Sequence, residues 1–74
     1  MAQHTKRAIR EGFLSLLNEN SFDKITVLDI ANRSSVNRNT FYYYYADIYA
    51  LVDDVLRVET ERIREADFHH GLLE

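Results

Sequence analysis

The sequence predicts an all-α fold: a short helical domain of about four helices. Three observations carry that prediction. The 74 residues include no proline and only two glycines, a composition that favours helix throughout. Apolar residues recur at helical spacing in the first segment and again in the last. Between them, Thr26, Asn37 and Asp47 each stand where a helix N-cap is wanted.

The first helix is expected over about residues 5–18. Ile9, Phe13, Leu16 and Leu17 fall on one stripe, while Lys6, Arg7, Arg10 and Glu11 lie off it. The polar cluster NENS then ends the helix, and Phe22, Lys24 and Ile25 form a short connector. The second helix is expected over about 27–34. Thr26 caps it, and Asp29 three residues on can reach back in a shortened capping box. Val27, Ile30 and Ala31 share one of its faces.

The run SSVN breaks the second helix, and Asn37 opens a third, RNTFYYYY, over 38–45. Asp47 opens a long amphipathic fourth over about 48–69, carrying Ile48, Leu51, Val52, Val55, Leu56 and Ile63, with Gly71 as its stop. Two short helices joined by a three- to four-residue turn have the outline of a helix-turn-helix. The expected whole is a homeodomain-like three-helix core with a long helix added.

A chain of 74 residues makes one domain at most. It has no cysteine, hence no disulfide framework and no thiolate metal site. Neither a membrane-spanning run nor a signal-peptide apolar region is present, so a cytoplasmic protein with no membrane partner is expected. The net charge of −3 is unevenly spread. Residues 1–45 carry six basic against four acidic side chains, a net of +2. Residues 46–74 carry three against eight, a net of −5. A polyanion would therefore meet the first half.

Four consecutive tyrosines, Tyr42 to Tyr45, are the most unusual feature. On a helix, neighbouring side chains differ in direction by about 100°. Phe41 and Tyr45, four apart, share the face that goes to the core with Val36, and Tyr45 is expected to keep its hydroxyl at the rim. The opposite face presents Asn39 and Tyr43, flanked by Thr40 and Tyr44 on one side and Tyr42 on the other. Arg38 lies in the first turn, where a recognition helix touches base edges. A tyrosine offers a flat body that loses little rotamer entropy and a hydroxyl that can reach a phosphate.

The stretch ITVLDIANRSSVNRNTFYYYYADIYALVDDVL resembles the DNA-binding region of TetR/AcrR-family bacterial repressors. The residues that carry the likeness are Thr26, Val27, Asp29, Ile30, Ala31, Val36, Thr40, Tyr42, Tyr44 and Leu51, with Tyr45 where phenylalanine is common. The resemblance covers about residues 5–60. It implies that the third helix enters the major groove, that Thr40 and Tyr42 contact the backbone, and that Thr26 binds a phosphate through its hydroxyl and nearby amides. The candidate DNA-binding set is thus Thr26, Val27, Asn37, Arg38, Asn39, Thr40, Tyr42, Tyr43 and Tyr44.

Three positions depart from the family pattern. Ser35 replaces the turn glycine, so a left-handed backbone there would be strained. Asn39 replaces a small residue and can pair with adenine. Ile48 replaces the lysine that grips phosphate at the start of the fourth helix. The resemblance further implies a homodimer on a double-stranded operator, and a larger C-terminal domain, absent from this chain, that binds a small-molecule effector.

Each sharp reading has a plainer competitor. Tyr42 to Tyr44 could serve a protein partner, making the chain a helical protein–protein interaction module. Arg38 could be a solvated surface residue, and Lys6, Arg7 and Arg10 could form a solvated helix face as readily as contact a backbone. His69 and His70 are adjacent and point apart, so they make no chelating pair, and His4 is distant. Asp53 and Asp54 are adjacent on a helix, not a positioned acid–base pair, and Ser34 and Ser35 have no nearby histidine to act as base. Neither an enzyme nor a cofactor is expected. Gly12 lies inside the first helix without a phosphate-loop context; close packing is its expected reason.

Overall fold

The computed structural model describes the backbone of residues 2–73 and the side chains of residues 4–66. Four α-helices follow in order: α1 (Ala2–Leu17), α2 (Val27–Arg33), α3 (Arg38–Tyr44) and α4 (Ile48–Leu73). A single 3₁₀ turn, Phe22–Lys24, fills the connector between α1 and α2. No strand occurs among the described residues.

All three expected N-caps form. Thr26 Oγ1 accepts the Asp29 N–H at 3.1 Å, and the Asp29 carboxylate accepts the Thr26 N–H at 3.0 Å, a complete capping box. Asn37 Oδ1 accepts from the Thr40 amide at 2.8 Å, and Asp47 Oδ1 from the Ala50 amide at 2.9 Å. Each cap is worth about 1 kcal/mol, which matters for helices of only seven residues.

Helix ends differ from the sequence expectation in five places, one of them the end of α1, which stops at Leu17 and not at Asn18. α1 begins at Ala2, because nothing in AQHT resists helix. α2 stops at Arg33, since Ser34 is already its C-cap. α3 stops at Tyr44, and Tyr45 takes an extended backbone as its C-cap. α4 runs through Gly71 to Leu73, so Gly71 is not the stop expected of it; no glycine takes the left-handed conformation that would end the helix there.

The core gathers Ile9, Phe13 and Leu16 from α1, Ile25, Ile30 from α2, Phe41 and Tyr45 from the α3 segment, and Leu51 and Val55 from α4. Phe41, Ile9, Ile30 and Leu51 are its largest fully enclosed side chains. Leu17, expected on the buried stripe, is 38% exposed at the end of α1. Leu56 and Ile63 of α4 are also largely exposed.

α1 and α2 approach closely at one point. A Cβ placed on Gly12 would stand 2.3 Å from Ser34 Oγ, which is the packing reason for a glycine inside α1. The ends of the same two helices are joined by Arg33. Its guanidinium grips Glu19 with two bonds of 3.0 Å and donates to Ser15 Oγ at 2.7 Å.

Candidate nucleic-acid interface

The turn between α2 and α3 fixes how α3 is presented. Residues 34–37 close α2 in a Schellman motif: the Val36 amide donates to Ala31 O at 2.9 Å and the Ser35 amide to Asn32 O at 3.2 Å. The motif requires a left-handed residue, and Ser35 supplies it with φ 62°. This is the strain expected from a serine in the place of glycine. Val36 then packs against the core, and Asn37 restarts the helix.

α3 is anchored by two rings. Phe41 is completely buried and Tyr45 nearly so, with their centroids 5.7 Å apart. Four apart in sequence, they turn the other side of α3 outward. Arg38 and Asn39 are exposed in its first turn, and Tyr43 follows one turn later with 81% of its surface open. Tyr42 stands half open with its ring edge-on to Phe41. Thr40 is half-buried, and its amide is taken by the Asn37 cap.

Tyr44 sits deeper than its neighbours. It packs against the core and meets Tyr43 edge to face at 4.9 Å. Asn37, Asn39, Thr40, Tyr43 and Tyr44 together line a shallow hollow of about 320 Å³ on the surface of α3. Thr26 is exposed at the start of α2, and Val27 beside it is half-buried against the core. The capping box uses Thr26 Oγ1 as an acceptor, and a hydroxyl so used can still donate.

The basic residues divide into two groups. Arg7 pairs with Glu11, Arg33 with Glu19, and Lys6 and Arg10 face Asp54. Each of these four has an acidic neighbour within the molecule, although Arg7 and Glu11 both stay more than half exposed. Among the described residues Lys24, Arg38 and Arg64 make no ion pair, and all three are exposed; Arg64 lies on the acid-rich α4, away from the turn and α3. Ile48 is half-buried against the core at the start of α4, so its side chain packs inward where a lysine would reach out.

Residues 9–55 match the family model for bacterial regulatory proteins, tetR family. The chain belongs to this family. It therefore carries the DNA-binding helix-turn-helix domain of TetR-family transcriptional regulators. It is 29% identical over 68 residues to an uncharacterized HTH-type transcriptional regulator, YxbF, of Bacillus subtilis (strain 168). That alignment takes in 92% of this chain but 18% of the relative. No solved structure matches the chain.

Against the TetR-family expectation, two features were missed in the sequence. The first is Asp54, which the sequence offers only as one of two adjacent acids on a helix. It is 7% exposed and accepts the Tyr45 hydroxyl at 2.5 Å. Arg10 of α1 reaches it at 3.4 Å, Arg57 of α4 pairs with it, and Lys6 stands 4.0 Å away. The Tyr45 hydroxyl is accordingly not at the rim but inside, a correction with a clear cause: a buried acceptor lies within its reach. Burial alone would raise the Asp54 pKa; the Tyr45 hydrogen bond and then the Lys6, Arg57 and Arg10 charges outweigh it and hold the carboxyl below its ordinary value. Burial, followed by the bond to Asp54, pushes the Tyr45 phenol up to about 12. The second missed feature is the Arg33 clamp on Glu19 and Ser15, which joins residues far apart in sequence.

Asp54 did leave a signal. It lies three residues after Leu51 and beside Val55, so it interrupts the apolar stripe of α4 with a charge. Among the described residues no group of His, Asp and Glu is placed to hold a metal ion, and no helix is long and apolar enough to cross a membrane. The side chains of His69 and His70 lie outside the described residues.

Proposed function

We propose that this chain is the operator-reading domain of a cytoplasmic, one-component bacterial repressor that binds a palindromic duplex as a homodimer. The observation that carries the reading is the two-sided build of α3, with Phe41 and Tyr45 held inside while Arg38, Asn39 and Tyr43 stand outside. In this reading Thr26, Thr40, Tyr42 and Tyr44 bind the phosphate backbone, with Val27 and Asn37 at the same surface. Arg38, Asn39 and Tyr43 read base edges. With Lys24 and Arg38 as the exposed unpaired cations of the first 45 residues, each copy neutralises few phosphates, and affinity falls only gently as salt rises.

A small-molecule effector and the dimer contacts belong, in this proposal, to a C-terminal domain outside these 74 residues. The test is selection of bound duplexes from a random pool, followed by gel shifts on the winner. Half-sites about one helical turn apart, or a multiple, are expected. Arg38→Ala should weaken binding by about 1–3 kcal/mol if the arginine grips guanine with two bonds. Equal affinity of wild type, Arg38→Ala and Tyr42→Phe would remove the reading and favour a protein partner for the tyrosine surface.

A further inference from the structure

Three helices converge on one carboxylate. Asp54 is the one buried charged side chain among the described residues. It accepts from Tyr45, the residue at which α3 ends, and is surrounded by Lys6 and Arg10 of α1 and Arg57 of its own α4. The Lys6 ammonium also lies 5.5 Å from the centre of the Tyr45 ring. We propose that Asp54 is a positioning residue for the α3 surface: through the Tyr45 hydroxyl it fixes the direction in which Arg38, Asn39 and Tyr43 are presented to a duplex. This inference rests on the reading of α3 as the DNA-contacting element.

The physical case starts from the size of α3. A helix of seven residues has no stability of its own and takes its direction from its anchors. Phe41 is held by apolar contact, which resists withdrawal but is not directional. The second anchor is different. A short bond from a phenol to an ionised carboxylate has a preferred line, and it is among the stronger hydrogen bonds a protein makes. The carboxylate is itself held by cations from α1 and α4, so that line is referenced to both long helices. An apolar pair of similar volume would bury as well without desolvating a charge, so burial alone does not account for the arrangement. Direction does.

The experiment compares specific and random-sequence binding of the full chain and its variants at a temperature where circular dichroism shows each fully folded. The probes are the duplex selected by the wild-type chain and a scrambled duplex of equal length. Asp54→Asn and Tyr45→Phe should each lower the ratio of selected to scrambled affinity by about tenfold, with scrambled binding unchanged. The double variant should lose no more than either alone, because Tyr45→Phe removes the bond itself and Asp54→Asn removes the charge that strengthens and orients it. Tyr45→Phe deletes a single hydroxyl and keeps the test decisive if Asp54→Asn does not fold. An unchanged ratio in Tyr45→Phe, alongside a collapsed ratio in Arg38→Ala, overturns the positioning role and leaves the DNA reading standing. A wild-type chain that prefers no duplex overturns both.

Discussion

Ser35 shows how one residue carries a cost that the turn demands. The Schellman motif needs a left-handed residue after the C-cap, and a side chain with a Cβ loses about 1–2 kcal/mol there. Ser35→Gly relieves that strain but gives the unfolded chain more freedom, which takes back about 0.4–1 kcal/mol. The expected net is a gain of about 0–1.6 kcal/mol, read from the urea midpoint of unfolding. A loss of stability would mean that the serine side chain contributes something its position does not suggest. The position was legible in the sequence, because the SSVN break sits between two helical patterns. Asp54 was less legible. A lone acid beside a second acid looks solvated until the fold brings Tyr45, Arg10 and Lys6 around it, and those partners come from other segments.

At the scale of elements, α1 and α2 are tied at two points, and only one is visible in the sequence. The Gly12 contact with Ser34 makes the two positions interdependent. Ser34 Oγ is buried there without a hydrogen-bond partner. Gly12→Ala alone gains helix propensity but drives its methyl into that oxygen. In a Ser34→Ala background the nearest remaining atoms are the residue 34 Cβ and amide nitrogen, both at 3.4 Å. A double-mutant cycle should therefore show Gly12→Ala better tolerated with Ser34→Ala than without, with a coupling of about 0.5–3 kcal/mol. Strict additivity would refute the contact. Helix existence and all three caps could be read from residue types alone, because caps are local chemistry. Helix ends could not, since they depend on which carbonyls the neighbouring turn satisfies. The Arg33 clamp was hidden for a related reason: nothing local distinguishes a clamping arginine from a solvated one.

For the molecule as a whole, folding is linked to pH through carboxylates that join different helices. Asp54 is held below its ordinary value by Tyr45, Lys6, Arg57 and Arg10, against the opposing effect of burial. Glu19 is held down by the hydrogen bond and charge of Arg33. A carboxyl with a lowered folded-state pKa stabilises the fold above its unfolded value, and that contribution disappears as pH falls through the folded value. Urea midpoints should accordingly stay level from neutral pH to about 5 and drop below about 4. Asp54→Asn should start lower at neutral pH and fall less steeply in acid. Parallel wild-type and variant profiles would show that the Asp54 charge does not contribute to the fold. The overall arrangement, a helix-turn-helix between two longer helices, was readable from periodicity and turn chemistry. The long-range salt links that set this pH response were not, because they arise only once α1 lies beside α2 and α4.

The three N-caps have one more effect, on which lengths of chain this region tolerates. Thr26, Asn37 and Asp47 each receive an amide from three residues further on, at Asp29, Thr40 and Ala50. From 26 to 50 the backbone is therefore metered by fixed intervals, with only Tyr45, Ala46 and Asp47 separating α3 from Ile48. An added or deleted residue in this span shifts a cap off its amide or rotates an apolar face by about 100°. Side chains can be exchanged here one at a time; the count of residues cannot change without losing the reading frame of the fold.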